Sequence, residues 1–542
     1  MGVCLVDGTQ AHGGGGNVMG QRRLGRRAGW GAAAAAAVAV SFLLAILDAR
    51  GDVLRAWLAY GVAALLSAAL LLLAWDRLGR EAPRAVLVAM LVALSLRLAV
   101  GVTLMRVLPV AGYPTDPQRA GYVYWDAFKR DTDAWNISRM PDPIAGLLAA
   151  RAVSDQYMGM AAFSAGAYAL LSPDAHRPLL MIEFAALASA LSVLFTWAFG
   201  RALLGDDVGR LSAWGVALYP EAVLLGSSQM REPFLIACFA AGLYGYACER
   251  QGRRKSGVVW MAAAVMLALP LSPPFALALV AVLVGASLWE GRLRGASRRW
   301  VWMGAAALAV AALVLMALAW SSFGGLSGGG ASALLSWWAR VTDTWRMSLL
   351  IETSPIIGFF LEMFPAWAQM PAITAYGLLL PLLPAALADA GNPVWWTIAV
   401  VRALGWTVLI PFLLGGVLLV HRTRSWNRIQ GYLVIIIAAS ALAAATRASS
   451  LQWDNPRYRA VLLTAQMVLA AWAWLESKRG GDPWLKRIAW IELADLALIM
   501  IWYAGRYWDL PQIGLARTLI GLGLVSVGML AAFLVSDRRR RG

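Results

Sequence analysis

Between residues 121 and 138 the chain reads GYVYWDAFKRDTDAWNIS, a charged and aromatic island between long apolar runs. Residues three and four apart are neighbours on a helix, so Tyr124, Phe128, Asp131 and Trp135 share one face. The other acids of the island have local partners. Asp126 stands four before Arg130 and Lys129 four before Asp133, and both pairs can neutralise each other on a wet face. Asp131 is left as an acid within an aromatic stripe, where a carboxylate is costly unless something binds or uses it. A carboxylate held this way can take a proton from an incoming hydroxyl.

Two further stretches gather charge. YPEAVLLGSSQMREPF holds Glu221, Arg231 and Glu232, and TRASSLQWDNPRYR holds Arg447, Asp454, Arg457 and Arg459. Arginines bind phosphate through paired hydrogen bonds, so a lipid phosphate could be met by one set of residues and deprotonation served by another. Each also has a structural reading. Glu232 precedes Pro233 and could cap a helix that begins with proline. Arg457 and Arg459 could anchor helix ends by snorkelling to headgroups. Arg97 falls in the middle of an apolar run, where insertion of an arginine costs about 3 kcal/mol, and needs a buried partner, structural or functional.

The elements that must position these residues are membrane helices. Hydrophobic residues make up 60% of the 542-residue chain and charged ones 14%. The apolar runs approach the roughly 20 residues that cross a hydrocarbon core. Three cysteines and three scattered histidines provide no disulfide framework and no zinc or haem ligand set. A divalent metal is unsupported, and the cofactor is left unknown. The net charge of +17 is explained by lysine and arginine in cytoplasmic loops rather than by nucleic acid. With both termini cytoplasmic, the first span is Trp30 to Leu47, followed by 56–75 and 86–108. Pro109, Pro114 and Pro117 oppose a continuing helix, and the island loop lies outside. The run Tyr157 to Leu171 is short; reading it as a surface segment keeps every later basic loop inside. Spans follow near 178–203, 210–227, 233–249, 257–271, 274–290, 301–321, 395–420, 430–447, 458–475, 488–503 and 514–535. The expectation is an all-α polytopic protein of the plasma membrane with about fourteen spans and external juxtamembrane helices. No phosphate loop and no HExxH is present, so nucleotide hydrolysis and zinc proteolysis have no motif behind them.

The order of these features resembles the GT-C superfamily of polyprenyl-phosphate-sugar-dependent glycosyltransferases, which includes protein O-mannosyltransferases and the lipid A aminoarabinose transferase. Arg130 to Trp135 is similar to the acidic motif of the first external loop, with Thr132 in place of its glutamate and Trp135 in place of its tyrosine. Asp155-Gln156-Tyr157 resembles the next surface helix, Tyr219-Pro220 through Glu232 a later proline, serine and arginine-acid signature, and Arg457-Tyr458-Arg459 an element near the last spans. The likeness covers a catalytic core at 86–475, with external regions at 109–177 and 322–394. Outside it lie a basic tail at 1–29, two added spans at 30–85, and C-terminal spans and tail at 476–542. The resemblance implies inverting sugar transfer from a polyprenyl-phosphate donor to a glycan, lipid or protein acceptor on the extracytoplasmic face. Asp131 would be the catalytic base, and Trp135, Tyr157, Arg231, Glu232, Arg457, Tyr458 and Arg459 would bind substrate. Thr132 removes the second acid on which related metal sites are built. The competing expectations are a glycan polymerase or ligase of another membrane fold, and a transporter or flippase, which would need paired repeats that are not visible.

Overall fold

The long apolar runs become long helices. The computed structural model describes residues 15–291 and 355–541, apart from 49, 80, 151–154, 156, 390, 449–452 and 509, with four positions between 303 and 310. Among the described residues there is no strand. An N-terminal hairpin of α1 (Gly15–Asp48) and α2 (Val53–Leu78) leads into α3 (Arg84–Ala111). Four short helices follow, α4 (Asp116–Arg119), α5 (Trp125–Ser138), α6 (Pro143–Ala150) and α7 (Gly159–Leu171). Then come α8 (Leu179–Leu204), α9 (Asp206–Leu218), α10 (Pro220–Gly226), α11 (Glu232–Arg250), α12 (Arg254–Leu271) and α13 (Pro273–Trp289). The second half comprises α14 (Pro355–Met363), α15 (Ala366–Leu379), α16 (Leu383–Ala388), α17 (Pro393–Arg422), α18 (Ile429–Arg447), α19 (Asp454–Ala460), α20 (Leu463–Gly480), α21 (Trp484–Tyr507) and α22 (Leu515–Arg541).

Among the described residues nine helices are long and apolar enough to span a bilayer, or ten if the bent pair α19–α20 counts as one. The expected fourteen is therefore not reached. Pro220 divides the 210–227 run into α9 and α10, α13 has 17 residues, and most of 301–321 lies outside the described residues, as does all of 322–354. Pro109 does not end α3, which continues two residues further to Ala111 although the proline removes the N–H that would bond the Met105 carbonyl. The 13 residues of α7 reach about 20 Å, short of the ~30 Å core.

The most enclosed of the candidate spans is α8, buried along almost its whole length against α2, α3, α9 and α11. Arg97 of α3 solves a problem created beside it. Pro220 has no N–H, so carbonyls near the end of α9 lose their helical donors. The Arg97 guanidinium, fully buried, donates to the carbonyls of Val216 at 3.1 Å and Ala217 at 2.8 Å, and to its own Ala93 at 3.1 Å. Its buried partner is thus a helix break rather than an acid. Gly226 makes room for it: a Cβ there would lie 2.7 Å from Arg97 Cδ.

The basic loops collect at one end of the bundle, joined by Arg201–Glu81 (2.6 Å), Arg479–Asp207 (3.3 Å), Arg422–Asp482 (2.9 Å) and Arg487–Asp537 (2.7 Å). The opposite end carries α4 to α7, the α10–α11 turn, α14 to α16 and α19. There the N-terminal hairpin is tied down by Arg177, which is fully buried. Arg177 donates to Asp174 at 2.7 and 2.8 Å and to the carbonyls of Arg50 (3.2 Å) and Asp52 (3.3 Å), and lies 3.8 Å from Asp48.

Candidate active site

The 14-residue helix α5 presents two working faces. Its back holds Asp131, 2% exposed. Tyr122 donates to Oδ2 at 2.6 Å, Tyr168 donates to Oδ1 at 2.7 Å, and His176 Nε2 lies 2.9 Å from Oδ2. Burial, and the carboxylate beside them, push both phenols well above the ordinary tyrosine range. Trp135 stacks on His176 with centroids 5.6 Å apart and meets Tyr168 edge-on at 5.9 Å. Phe128 meets Tyr122 edge-on at 5.3 Å. The aromatic stripe does enclose Asp131, and the cost of that burial is met by three neighbours contributed by the loop before α5, by α7 and by the α7–α8 turn. None of the three was singled out in the sequence, because all lie outside the island's helical repeat.

The front face carries Asp126 and Arg130, four residues apart. Their carboxylate and guanidinium are 3.8 Å apart, as the spacing implied, but not on a wet face: the Arg130 side chain is 5% exposed and that of Asp126 41%. Arg457 of α19 lies 3.1 Å from Asp126, 3.0 Å from Glu232 and 3.5 Å from Asp454. Burial acts to raise the Asp126 carboxyl, but Arg457 and Arg130 outweigh it and hold the group below the ordinary carboxylate range. Arg130 is displaced downward by its own burial and by the neighbouring Arg231. Its Nε and Nη1 are buried without a hydrogen-bond partner among the described residues, as is Glu232 Oε2. Two donors of this buried guanidinium are thus left to meet a further acceptor.

The remaining expected residues divide. Tyr458 lies between Arg447 and Arg457, at 5.5 and 5.4 Å from its ring centre, and Arg231 lies 5.5 Å over Tyr157. Tyr124 precedes α5 in extended conformation and turns its ring to Arg457 at 5.9 Å, so it leaves the stripe on which helical spacing put it. Arg459 points elsewhere. It stacks on Trp406 at 3.7 Å and donates to the carbonyls of Leu378 (3.0 Å) and Leu380, holding the carbonyls that α15 leaves open at its end. Glu221 forms a buried two-pronged pair with Arg402 at 2.6 and 3.1 Å, and Arg402 lies 4.3 Å over Trp453. Structure therefore brings Arg231, Glu232, Arg457, Tyr458 and Tyr157 around the front of α5, and places Asp131 and Trp135 behind it. Among the described residues no three His, Cys, Asp or Glu side chains converge on a metal position.

No family model matches the chain, and no curated protein does. Solved structures that are similar include the archaeal oligosaccharyltransferase AglB from Archaeoglobus fulgidus in complex with an inhibitory peptide and a dolichol-phosphate, at 12% identity and a TM-score of 0.37 over 81% of this chain and 54% of that one. The apo form of the oligosaccharyltransferase of the same organism aligns at 14% identity and a TM-score of 0.38, over 81% and 56%. The chain thus spans little more than half the length of either.

Proposed function

We propose that the protein transfers a sugar from a polyprenyl-phosphate donor to an acceptor hydroxyl, at the α5 end of the bundle, on the extracytoplasmic face of the plasma membrane. The observation that carries the reading is Arg130, a buried guanidinium with two unmatched donors beside a half-open carboxylate. It is supported by the order of motifs that resembles GT-C enzymes. In the reaction the acceptor oxygen attacks the anomeric carbon from the side opposite the phosphate. The bond from that carbon to the phosphate oxygen breaks, the configuration inverts, and the lipid phosphate leaves as an anion. Arg130, Arg231 and Arg457 stabilise the departing charge where it localises. The acceptor proton passes to Asp126. A phosphate arriving between the arginines draws their charge away from that carboxylate and raises its basicity as substrate binds. This assignment gives Asp126 the base role that the sequence gave Asp131, whose two oxygens are already engaged, and makes Asp131 a positioning residue for α5.

The test is sugar release from polyprenyl-phosphate hexoses and pentoses by the purified protein in phosphatidylcholine nanodiscs. Arg130→Gln should raise the donor KM about tenfold or more, the equivalent of one charge-assisted hydrogen bond, at unchanged Tm. A wild-type protein that consumes none of these donors, or an Arg130→Gln variant with an unaltered KM, rules the proposal out.

A further inference from the structure

A cavity of about 890 Å³ opens between α14, the end of α21 and the connection into α22. It is lined by Phe359, Glu362, Trp502, Arg506, Tyr507 and Gln512. The volume is that of a small-ligand site. The lining combines aromatic rings with planar polar groups. Tyr507 is half-exposed and rests on Tyr503 in parallel at 6.0 Å, and Arg506 lies 6.0 Å from the Trp502 ring centre. Among the described residues neither Glu362 nor Arg506 has an ion-pair partner, although both line the cavity. Three glycines line it. A Cβ at Gly358 or Gly514 would meet nothing within 4 Å, whereas one at Gly505 would meet the Pro511 carbonyl at 2.8 Å.

The cavity lies at the same end of the bundle as α5. Helix α21 starts beside the basic loops, where Trp484 lies under Arg422 at 5.0 Å, and runs away from them to Tyr507. Helix α14 packs on α15, and Asn455 of α19, two residues before Arg457, donates to Gly377 of α15 at 2.7 Å. One helix layer thus separates the cavity from the arginine that touches Asp126.

We infer that this cavity binds a saccharide, the acceptor glycan, and so that the acceptor hydroxyl belongs to a sugar; the inference rests on the glycosyl-transfer reading. Sugar rings present C–H faces that stack on Tyr and Trp, and pairs of adjacent hydroxyls that fit the planar forks of Arg, Glu and Gln.

The experiment is saturation-transfer NMR of maltotriose, mannotriose and chitotriose with the full chain in phosphatidylcholine nanodiscs. At least one trisaccharide should receive saturation. Tyr507→Ala should weaken binding about tenfold, the loss of one aromatic contact with its area, and Gly358→Trp, whose side chain grows into the space the ligand would fill, should weaken it at least as much. Asp126→Asn should leave binding unchanged. In the transfer assay Gly358→Trp should raise the acceptor KM and leave the donor KM alone. Absence of saturation transfer from all three, or binding indifferent to both cavity variants, overturns the inference. Cavity-dependent binding by a protein that transfers no sugar sinks only the transfer reading; transfer with no saccharide bound here sinks only the cavity.

Discussion

Substituting Asp126 and Asp131 separately distinguishes chemistry from scaffolding on one helix. Five residues apart, they are separated by about 7.5 Å along α5 and about 140° around it. In Asp131→Ala, the Tyr122 and Tyr168 hydroxyls lose their acceptor while fully enclosed, whereas His176, with 21% of its side chain exposed, can turn toward water. At about 1–3 kcal/mol for each buried unmatched donor, the cost is roughly 2–6 kcal/mol, a large share of the 5–15 kcal/mol typical of a folded domain. Asp126→Asn keeps one amide oxygen beside Arg457 on a side chain 41% exposed, so its stability cost should be about 1 kcal/mol or less. Its rate should fall about 10²–10⁴-fold, the usual share of a general base, or about 2.7–5.5 kcal/mol of barrier. Both are read in the same nanodiscs, Tm by intrinsic tryptophan fluorescence and chemistry by single-turnover sugar release. Asp131→Asn, which keeps shape and removes charge, completes the set. Near-normal turnover by Asp126→Asn, together with an inactive Asp131→Asn of unchanged Tm, refutes the reasoning and returns the base to Asp131.

Asp126 also sets a pH signature. Its carboxyl is held below the ordinary range by Arg457 and Arg130, so those ion pairs support the fold fully above about pH 4, the unfolded value, and are lost as pH falls through the lower folded one. Accordingly kcat/KM should stay flat down to about pH 4, while the acid limb of kcat lies higher because bound phosphate occupies the arginines; coincident limbs contradict the exchange. Arg459→Ala should lower Tm, through the loss of two carbonyl contacts worth about 1–3 kcal/mol each, and leave the donor KM unchanged. A raised donor KM at wild-type Tm would put Arg459 back among the substrate contacts.

Membrane architecture was readable because it depends on runs of apolar residues and on where basic residues fall, both properties of the linear chain. The helix bounds of α3, α8, α17 and α18 lie within a few residues of those expected. The site was legible in its inventory and less so in its assignments. Arg231, Glu232, Arg457 and Tyr458 do meet, because each lies at a helix end on the same side of the bundle. Helical spacing identified Asp131 as the acid without an in-helix partner, but could not reveal Tyr168 and His176, which approach from 37 and 45 residues away. The same spacing paired Arg130 with Asp126 and so hid the guanidinium's burial, which comes from α5 lying against other elements. Arg459 shows a further limit. Two residues from Arg457 on a helix, it must point to a different side, and its partners are carbonyls that no sequence pattern marks.

The lock between Arg177 and the N-terminal hairpin bears on the order in which the protein is made. Asp48 leaves the ribosome 129 residues before Arg177, and at about 5–20 residues per second the interval is on the order of 6–26 s. Through that interval the hairpin waits with an acid at its tip whose companions among the hairpin's described residues are Tyr60 and Arg50. Arrival of the α7–α8 turn then fastens the first two spans and, through the adjacent His176, the back of α5 in one event. Removing residues 15–78 would take away the carbonyls and the acid that Arg177 grips, so the hairpin acts as a clamp on the site from its far side, set when about a third of the chain has been made.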